Sequence, residues 1–199
     1  MPAPLVKRRL PTGRGAIEQP NAGGDGPAAL TPIFWVAIAV TGVASGLFGD
    51  LLMFLLFHIE HWAFGYDSGS LLDGVRQASN LRRVLSLLIA GAFGGVAWYL
   101  LRRFSKGPTE VDDAIWRATG ELSFWRSLGT SAISEIVIGM GASIGREAAP
   151  KLMGGASGSV IAGWARLSPL QRRLLVSCGA GSGLAAVYNV PIGGALFTA

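Results

Sequence analysis

The stretch IFWVAIAVTGVASGLFGDLLMFLLF, Ile33 to Phe57, decides the fold class. It holds 25 residues and one charge, Asp50, and as a helix rising about 1.5 Å per residue it crosses about 30 Å of hydrocarbon with some tilt. A second run, the 18 uncharged residues from Val84 to Leu101, is closed by Arg102-Arg103-Phe104-Ser105-Lys106. The composition agrees with a membrane protein. Of 199 residues, 50% are hydrophobic, 15% are charged and 29 are glycine, where soluble domains average about 25% charged and about 7% glycine. An interior glycine costs a helix in water roughly 1 kcal/mol against alanine, but it lets helices in lipid pack backbone to backbone. The glycines follow no three-residue period, which excludes collagen, and the apolar fraction excludes a charge-rich disordered chain.

The formal net charge is +5, but the basic residues are not gathered on one face among aromatics, as nucleic-acid binding requires. They flank apolar runs, in Lys7-Arg8-Arg9, Arg82-Arg83, Arg102-Arg103-Lys106 and Arg172-Arg173, where such residues anchor and orient spans. No nucleic-acid partner is expected. Residues 1–31 read as a disordered basic cytoplasmic tail without an apolar stretch of signal-peptide length, and residues 32–199 read as the membrane domain. Two spans bring the chain back to its starting side, so the clusters Lys7 to Arg14 and Arg102 to Lys106 share the cytoplasmic face. The single cysteine, Cys178, permits no internal disulfide.

Between the two spans, His58 to Arg83 reads as a polar connection carrying a short helix at Leu71 to Gln77. A second short helix is predicted at Thr109 to Ala118, with a turn at Gly120. Ser127 to Ile144, Ala148 to Leu167 and Leu170 to Val187 follow, all apolar, glycine-laden and interrupted by turn signals. Tilted or broken helices are expected there. Gly141/Gly145, Gly154/Gly158 and Gly179/Gly183 each show the four-residue spacing that permits close helix approach. No period of solenoid length repeats.

GASIGREAAPK, Gly141 to Lys151, sets three ionisable groups between apolar helical stretches. A charge near the bilayer centre costs at least about 2.5–3.5 kcal/mol, which makes these residues functional candidates. The glycines permit a turn, Glu147 falls in the first turn of the following helix, and the unpaired amides there form an anion site. A carboxylate so placed can fill the site itself or, protonated or displaced, leave it to a permeating anion. The plain alternative makes Arg146, Glu147 and Lys151 interfacial residues at a helix end. His58 and His61 flank Glu60 at a spacing open to a metal, but with Trp62 and Tyr66 they read as an interfacial belt, and no metal is expected. Asp50 faces a polar crevice, caps a kink at Gly49 or takes a direct part in transport, and Glu135, eight residues after Ser127 in an apolar stretch, is read in the same way. Gly181-Ser-Gly183-Leu-Ala-Ala186 mimics a dinucleotide fingerprint, but it lacks the acidic partner about 20 residues on and any alternation of helix and strand. No cofactor is expected.

Gly145-Arg146-Glu147, followed some thirty residues later by Gly179-Ala-Gly181-Ser-Gly183 and Tyr188-Asn189-Val190-Pro191-Ile192-Gly193-Gly194, resembles the CLC family of chloride channels and chloride/proton antiporters. The likeness covers about residues 33 to 199 and is closest after Ile138. It implies an all-α integral membrane fold of tilted and broken transmembrane helices, with this chain as the first half of an inverted repeat. It implies a multi-pass protein of the cell (inner) membrane with a cytoplasmic N-terminus, transporting chloride or another small anion and catalysing no reaction. Glu147 would be the gating glutamate, and backbone near Gly145, Arg146, Glu147 and Ala148 would line the anion path. Gly181, Gly183, Asn189 and Pro191 would be the structural motif of the later segment. The family's Gly-Arg-Glu-Gly-Pro reads here Gly-Arg-Glu-Ala-Ala-Pro, which replaces a permissive glycine with Ala148. Its Gly-Ser-Gly-Ile-Pro falls at Ser105-Lys106-Gly107-Pro108, with Ser105 and Gly107 as anion-binding candidates, one residue short and with an added cation. The implied partners are the anion, the lipid bilayer, a second copy in a homodimer and, for an antiporter, protons. Channel and antiporter both fit. The other reading is a non-transporting membrane subunit or pseudo-transporter with the same helix packing. Family subunits join two inverted halves, and this half alone is expected to conduct nothing.

Overall fold

Thr31 opens the first helix, α1 (Pro32–Phe64), by accepting a hydrogen bond from the Phe34 amide at 3.3 Å, and Pro32 takes the first helical position, where its missing N–H is not needed. The computed structural model describes residues 30–66, 69–116 and 119–198. Residues 1–29, with the cluster Lys7 to Arg14 and most of the expected tail, fall outside the described residues, as do Asp67, Ser68, Arg117, Ala118 and Ala199.

Among the described residues the chain forms eight helices and no strand. α1 runs seven residues past Phe57, through the segment expected as polar connection. His58 to Phe64 contains no helix breaker, and the helix stops only at Gly65, whose left-handed φ of 66° lets its amide close onto the His61 carbonyl. α2 (Leu71–Gln77) is the predicted short helix, capped by Ser70. α3 (Asn80–Phe104) begins four residues before Val84, because the Ser79 hydroxyl accepts from the Arg82 amide and fixes an earlier start. α1 and α3 are the two described helices long and apolar enough to cross a membrane.

α4 (Val111–Trp116) is followed by α5 (Phe124–Gly139), α6 (Ala148–Trp164), α7 (Pro169–Tyr188) and α8 (Pro191–Thr198). α5 ends well before Ile144: Gly141 sits at φ 104° and Gly145 at φ 83°, so Gly141 and Gly145 build a turn and are not a packing pair. The other two glycine pairs do pack helix on helix. A Cβ on Gly154 would overlap the Gly179 carbonyl, one on Gly158 the Leu175 carbonyl, and one on Gly183 the Pro150 carbonyl. α6 and α7 therefore touch backbone to backbone, and α1 lies across both, with Phe34 and Ala37 against Ala162 and Leu175.

Polarity is distributed as lipid requires. Leu47, Phe54 and Leu88 are exposed, while Thr41, Ser45, Ser127, Ser131 and Glu135 are buried. In water this arrangement would leave a large apolar surface wet and polar groups dry; in hydrocarbon the outer face costs nothing. Arg82 and Arg83, read from sequence as simple anchors, tie off helix ends. Arg82 donates to the Ala63 and Trp62 carbonyls at 2.7 and 3.0 Å, and Arg83 to the Ala78 and Arg76 carbonyls at 3.0 and 2.7 Å.

Candidate functional site

The break between α5 and α6 is shaped by three local choices. Ser86 on α3 donates to the Met140 carbonyl at 2.7 Å, which pins the end of α5. Gly141 and Gly145 supply the two left-handed residues of the turn. Glu147 then occupies the N-cap of α6, one place before the first turn in which the sequence puts it, with helical φ −74° and ψ −27° and no side-chain capping bond.

Its carboxylate folds back over Gly145: a Cβ there would stand 2.6 and 2.8 Å from the two carboxylate oxygens. By position, the amides of Ala148 and Ala149 have no intrahelical acceptor, and Pro150 has no N–H at all. The Lys151 amide starts the helical ladder by donating to the Glu147 carbonyl at 3.3 Å.

A cavity of 810 Å³ opens onto this cap, lined among others by Glu60, His61, Tyr66, Ser143, Gly145, Arg146, Glu147 and Tyr188. Four parts of the fold meet there: the end of α1, the start of α2, the 140–147 break and the end of α7. Glu60 is 2% exposed and accepts from the Tyr66 hydroxyl at 3.4 Å, while His61 stacks on the Tyr66 ring with centroids 4.3 Å apart. Burial pushes the Tyr66 phenol above its usual range, and the charge and hydrogen bond of Glu60 push it the same way. The sequence reading gives Glu60 no role beyond its place between His58 and His61, yet a signal for its burial is present. Buried α1 residues recur at Thr41, Ser45, Gly49, Leu52, Leu56 and Glu60, one helical stripe that runs inward.

Gly145, Arg146 and Glu147 thus line one cavity, and Ala148 begins the helix behind it. Ser105 and Gly107 do not line it. Ser105 ends α3 and donates to the Leu101 carbonyl at 2.6 Å, and the Gly107 carbonyl accepts from Arg126 at 2.7 Å, near the other end of α5. Lys151 also leaves the Glu147 group. Its ammonium pairs with Asp112 of α4 at 3.2 Å and lies 5.1 Å from the centre of the Phe197 ring. This contact ties the first turn of α6 to α4, the helix that follows Ser105 to Pro108. Gly181 packs on the Gly194 carbonyl of α8, Asn189 closes α7 in the left-handed region at φ 54°, and Pro191 opens α8.

Asp50 is exposed on α1, and Gly49 fits against Val187 and Ala186 of α7. His61 donates from Nδ1 to the Phe57 carbonyl at 2.6 Å. Among the described residues no group of three or more His, Cys, Asp or Glu is placed to hold a metal.

A sequence profile described as voltage gated chloride channel matches residues 90–199, from the middle of α3 through the cavity-forming break to the end of the chain. The chain belongs to the voltage gated chloride channel family. Similar proteins include the voltage-gated ClC-type chloride channel ClcB of Yersinia pseudotuberculosis serotype O:1b, 31% identical over 169 residues that cover 80% of this chain and 40% of that protein. The ClcB of Shigella flexneri is 33% identical over 144 residues, 69% of this chain and 34% of its own. The chain spans about 40% of the length of the first of these relatives. No solved structure matches. The two long apolar helices of this family member suit an integral membrane protein.

Proposed function

We propose that these residues form the first half of a protein that moves chloride or another small anion across the membrane, with Glu147 as its gate. The observation that carries this reading is the cap of α6, where the Glu147 carboxylate folds over Gly145 at the mouth of a cavity, next to first-turn amides without helical acceptors. A helix N-terminus presents about half a positive charge, and Arg146 adds a full one to the same cavity. That field attracts an anion. Glu147 competes for it as a tethered anion, so protonating the carboxylate or swinging it aside admits a free one.

In this reading Gly145, Arg146, Glu147 and Ala148 form the outer part of the path, and Ser105 and Gly107 serve the anion at the other end of α5. Ser105 must first release the Leu101 carbonyl. Gly181, Gly183, Asn189 and Pro191 keep α7 and α8 close to α6, so that the cap stays in register with its cavity. We further propose that residues 32–199 form half of an inverted repeat in the cell's inner membrane, that residues 1–31 are cytoplasmic, and that the complete protein pairs as a homodimer.

The test is anion efflux from liposomes carrying the full-length protein. Glu147→Gln should change both the efflux rate and its response to pH. If both match the unaltered protein, Glu147 is not the gate. Chloride titration calorimetry separates a transporter from a pseudo-transporter, since the latter binds no anion.

A further inference from the structure

We propose that an exposed face of α3 holds an anionic phospholipid, in a groove formed by Gly95, Trp98, Tyr99, Arg102 and Arg103. The inference needs only that α3 crosses the membrane, and it stands apart from the anion-transport reading above. The groove has a volume of 520 Å³. Its residues recur at the three-, four- and seven-residue spacings that share one side of a helix. Aromatic rings with an apolar body and a polar tip favour the boundary between hydrocarbon and headgroups, and here two cations stand beside them.

The four arginines of α3 divide into two pairs, and the helix contains no acidic residue. Arg82 and Arg83 are engaged by backbone carbonyls at the ends of α1 and α2. Arg102 and Arg103, at the other end, are exposed, and among the described residues neither makes a hydrogen bond or an ion pair. The nearby Leu101 carbonyl is not free to receive them, since the Ser105 amide and hydroxyl donate to it at 2.9 and 2.6 Å. One arginine pair therefore serves the fold, and the other is left with its donors open.

Depth and shape fit a lipid. The uncharged run Val84 to Leu101 covers about 27 Å, close to the thickness of the hydrocarbon, so the guanidinium groups just beyond it stand at the level of lipid phosphates. Gly95 to Arg103 covers about 12 Å, enough for a headgroup layer of roughly 5–7 Å and the start of the acyl chains. The Trp98 ring lies back along Gly94, 3.5 Å from where a Cβ would stand, and a Cβ on Gly95 would meet nothing within 4 Å. Gly95 thus gives an open floor for the first methylenes of a chain, while a guanidinium fork pairs with a phosphodiester. A zwitterionic lipid brings its own ammonium to the two cations, so net negative charge is selected. A second copy related by a two-fold axis would bring the same arginines together with no acid on α3 to pair with them.

The experiment is native mass spectrometry of the full-length protein in detergent with added dioleoyl phosphatidylglycerol or dioleoyl phosphatidylcholine. Phosphatidylglycerol should bind the more tightly. A basic residue near an anionic headgroup contributes about fivefold, so Arg102→Gln should weaken that binding about fivefold and Arg102→Gln/Arg103→Gln about thirtyfold. Gly95→Leu keeps every charge and enters open space, and it should weaken binding as well. Arg166→Gln, at an exposed arginine outside the groove, should leave it unchanged. Equal binding of the two lipids, an equal loss in Arg166→Gln, or no loss in Gly95→Leu each overturns the inference. So does a changed oligomeric state in Gly95→Leu with lipid binding kept, which makes the groove a helix interface, or displacement of the lipid by an equal concentration of inorganic phosphate. Melting temperatures separate a purely structural role. Without added lipid the double variant should melt with the unaltered protein, and it should lose the rise that phosphatidylglycerol gives. If it melts lower without lipid yet rises as much with it, the arginines only complement the end of α3, and the inference fails.

Discussion

Replacing Gly154 with alanine tests whether the α6–α7 seam depends on backbone contact. The added Cβ would overlap the Gly179 carbonyl oxygen, stand 2.7 Å from its carbon and come within 3.3 Å of the Gly183 amide nitrogen. Carbon atoms pack at about 3.5–4.0 Å, so the two helices must part by about 1 Å. The same seam contains the approaches of Gly158 to Leu175 and of Gly183 to Pro150, so parting at one point loosens all three. Overpacking of this kind costs about 1–3 kcal/mol, offset by up to about 1 kcal/mol of gained helix propensity. The net loss of about 1–2 kcal/mol lowers the thermal midpoint in detergent by roughly 5 °C for a chain of this size. Gly42, also helical, has no atom within 4 Å of an added Cβ, so Gly42→Ala keeps only the propensity gain and raises the midpoint by about 2 °C. Circular dichroism melts of the two variants carry opposite signs. If Gly154→Ala is as stable as Gly42→Ala, the backbone seam is not what joins α6 to α7.

At the end of α7, Asn189 at φ 54° should accept glycine without loss, whereas Asn189→Val should cost about 1–2 kcal/mol for the left-handed backbone, read in the same melts. Arg82→Ala removes two charge-assisted bonds to the end of α1 and should cost roughly 1.5–3 kcal/mol, with Arg82→Lys recovering part; hydrogen exchange at the last turn of α1 should rise. Tyr66 binds its proton more tightly in the folded protein than its ordinary value of 10.0, because of burial first and Glu60 second. The folded state therefore holds the extra proton, and stability is full below pH 10 and declines as pH rises toward the folded value. Tyr66→Phe should remove that alkaline decline, and phenolate absorbance should show one fewer late-titrating group.

The two spans and the glycine seam were legible because each rests on a period: long apolar runs for α1 and α3, and four-residue spacing for Gly154/Gly158 and Gly179/Gly183. Where one pattern serves two structures, reading failed. Gly141 and Gly145 have the spacing of a packing pair but the φ of a turn, and only the chain's exit from α5 distinguishes the two. The turn and polar residues from Gly65 to Asn80 mark a connection, but its start at His58 is too early, because the helix ends only at the breaker Gly65. Lys151 was grouped with Glu147 by proximity in sequence. Four residues into the helix, its side chain reaches α4 and not the cap.

The non-helical segment 140–147 is where the fold departs most from what lipid favours, since irregular backbone at membrane depth is tolerated only where protein buries it or a cavity wets it. Both conditions hold here. The Met140 carbonyl is taken by Ser86, the Ala142 amide closes back on Val137 at 3.2 Å, and the Gly145 to Glu147 portion opens onto the 810 Å³ cavity. A continuous helix from Phe124 to Trp164 would have given the amides between Met140 and Ala149 helical acceptors. Interrupting it leaves the amides of Ala148 and Ala149 without helical acceptors beside the Glu147 side chain at the cap. The same break ends α5 four residues after Glu135, the last member of its buried stripe with Ser127 and Ser131, while Glu60 of α1 lines the cavity.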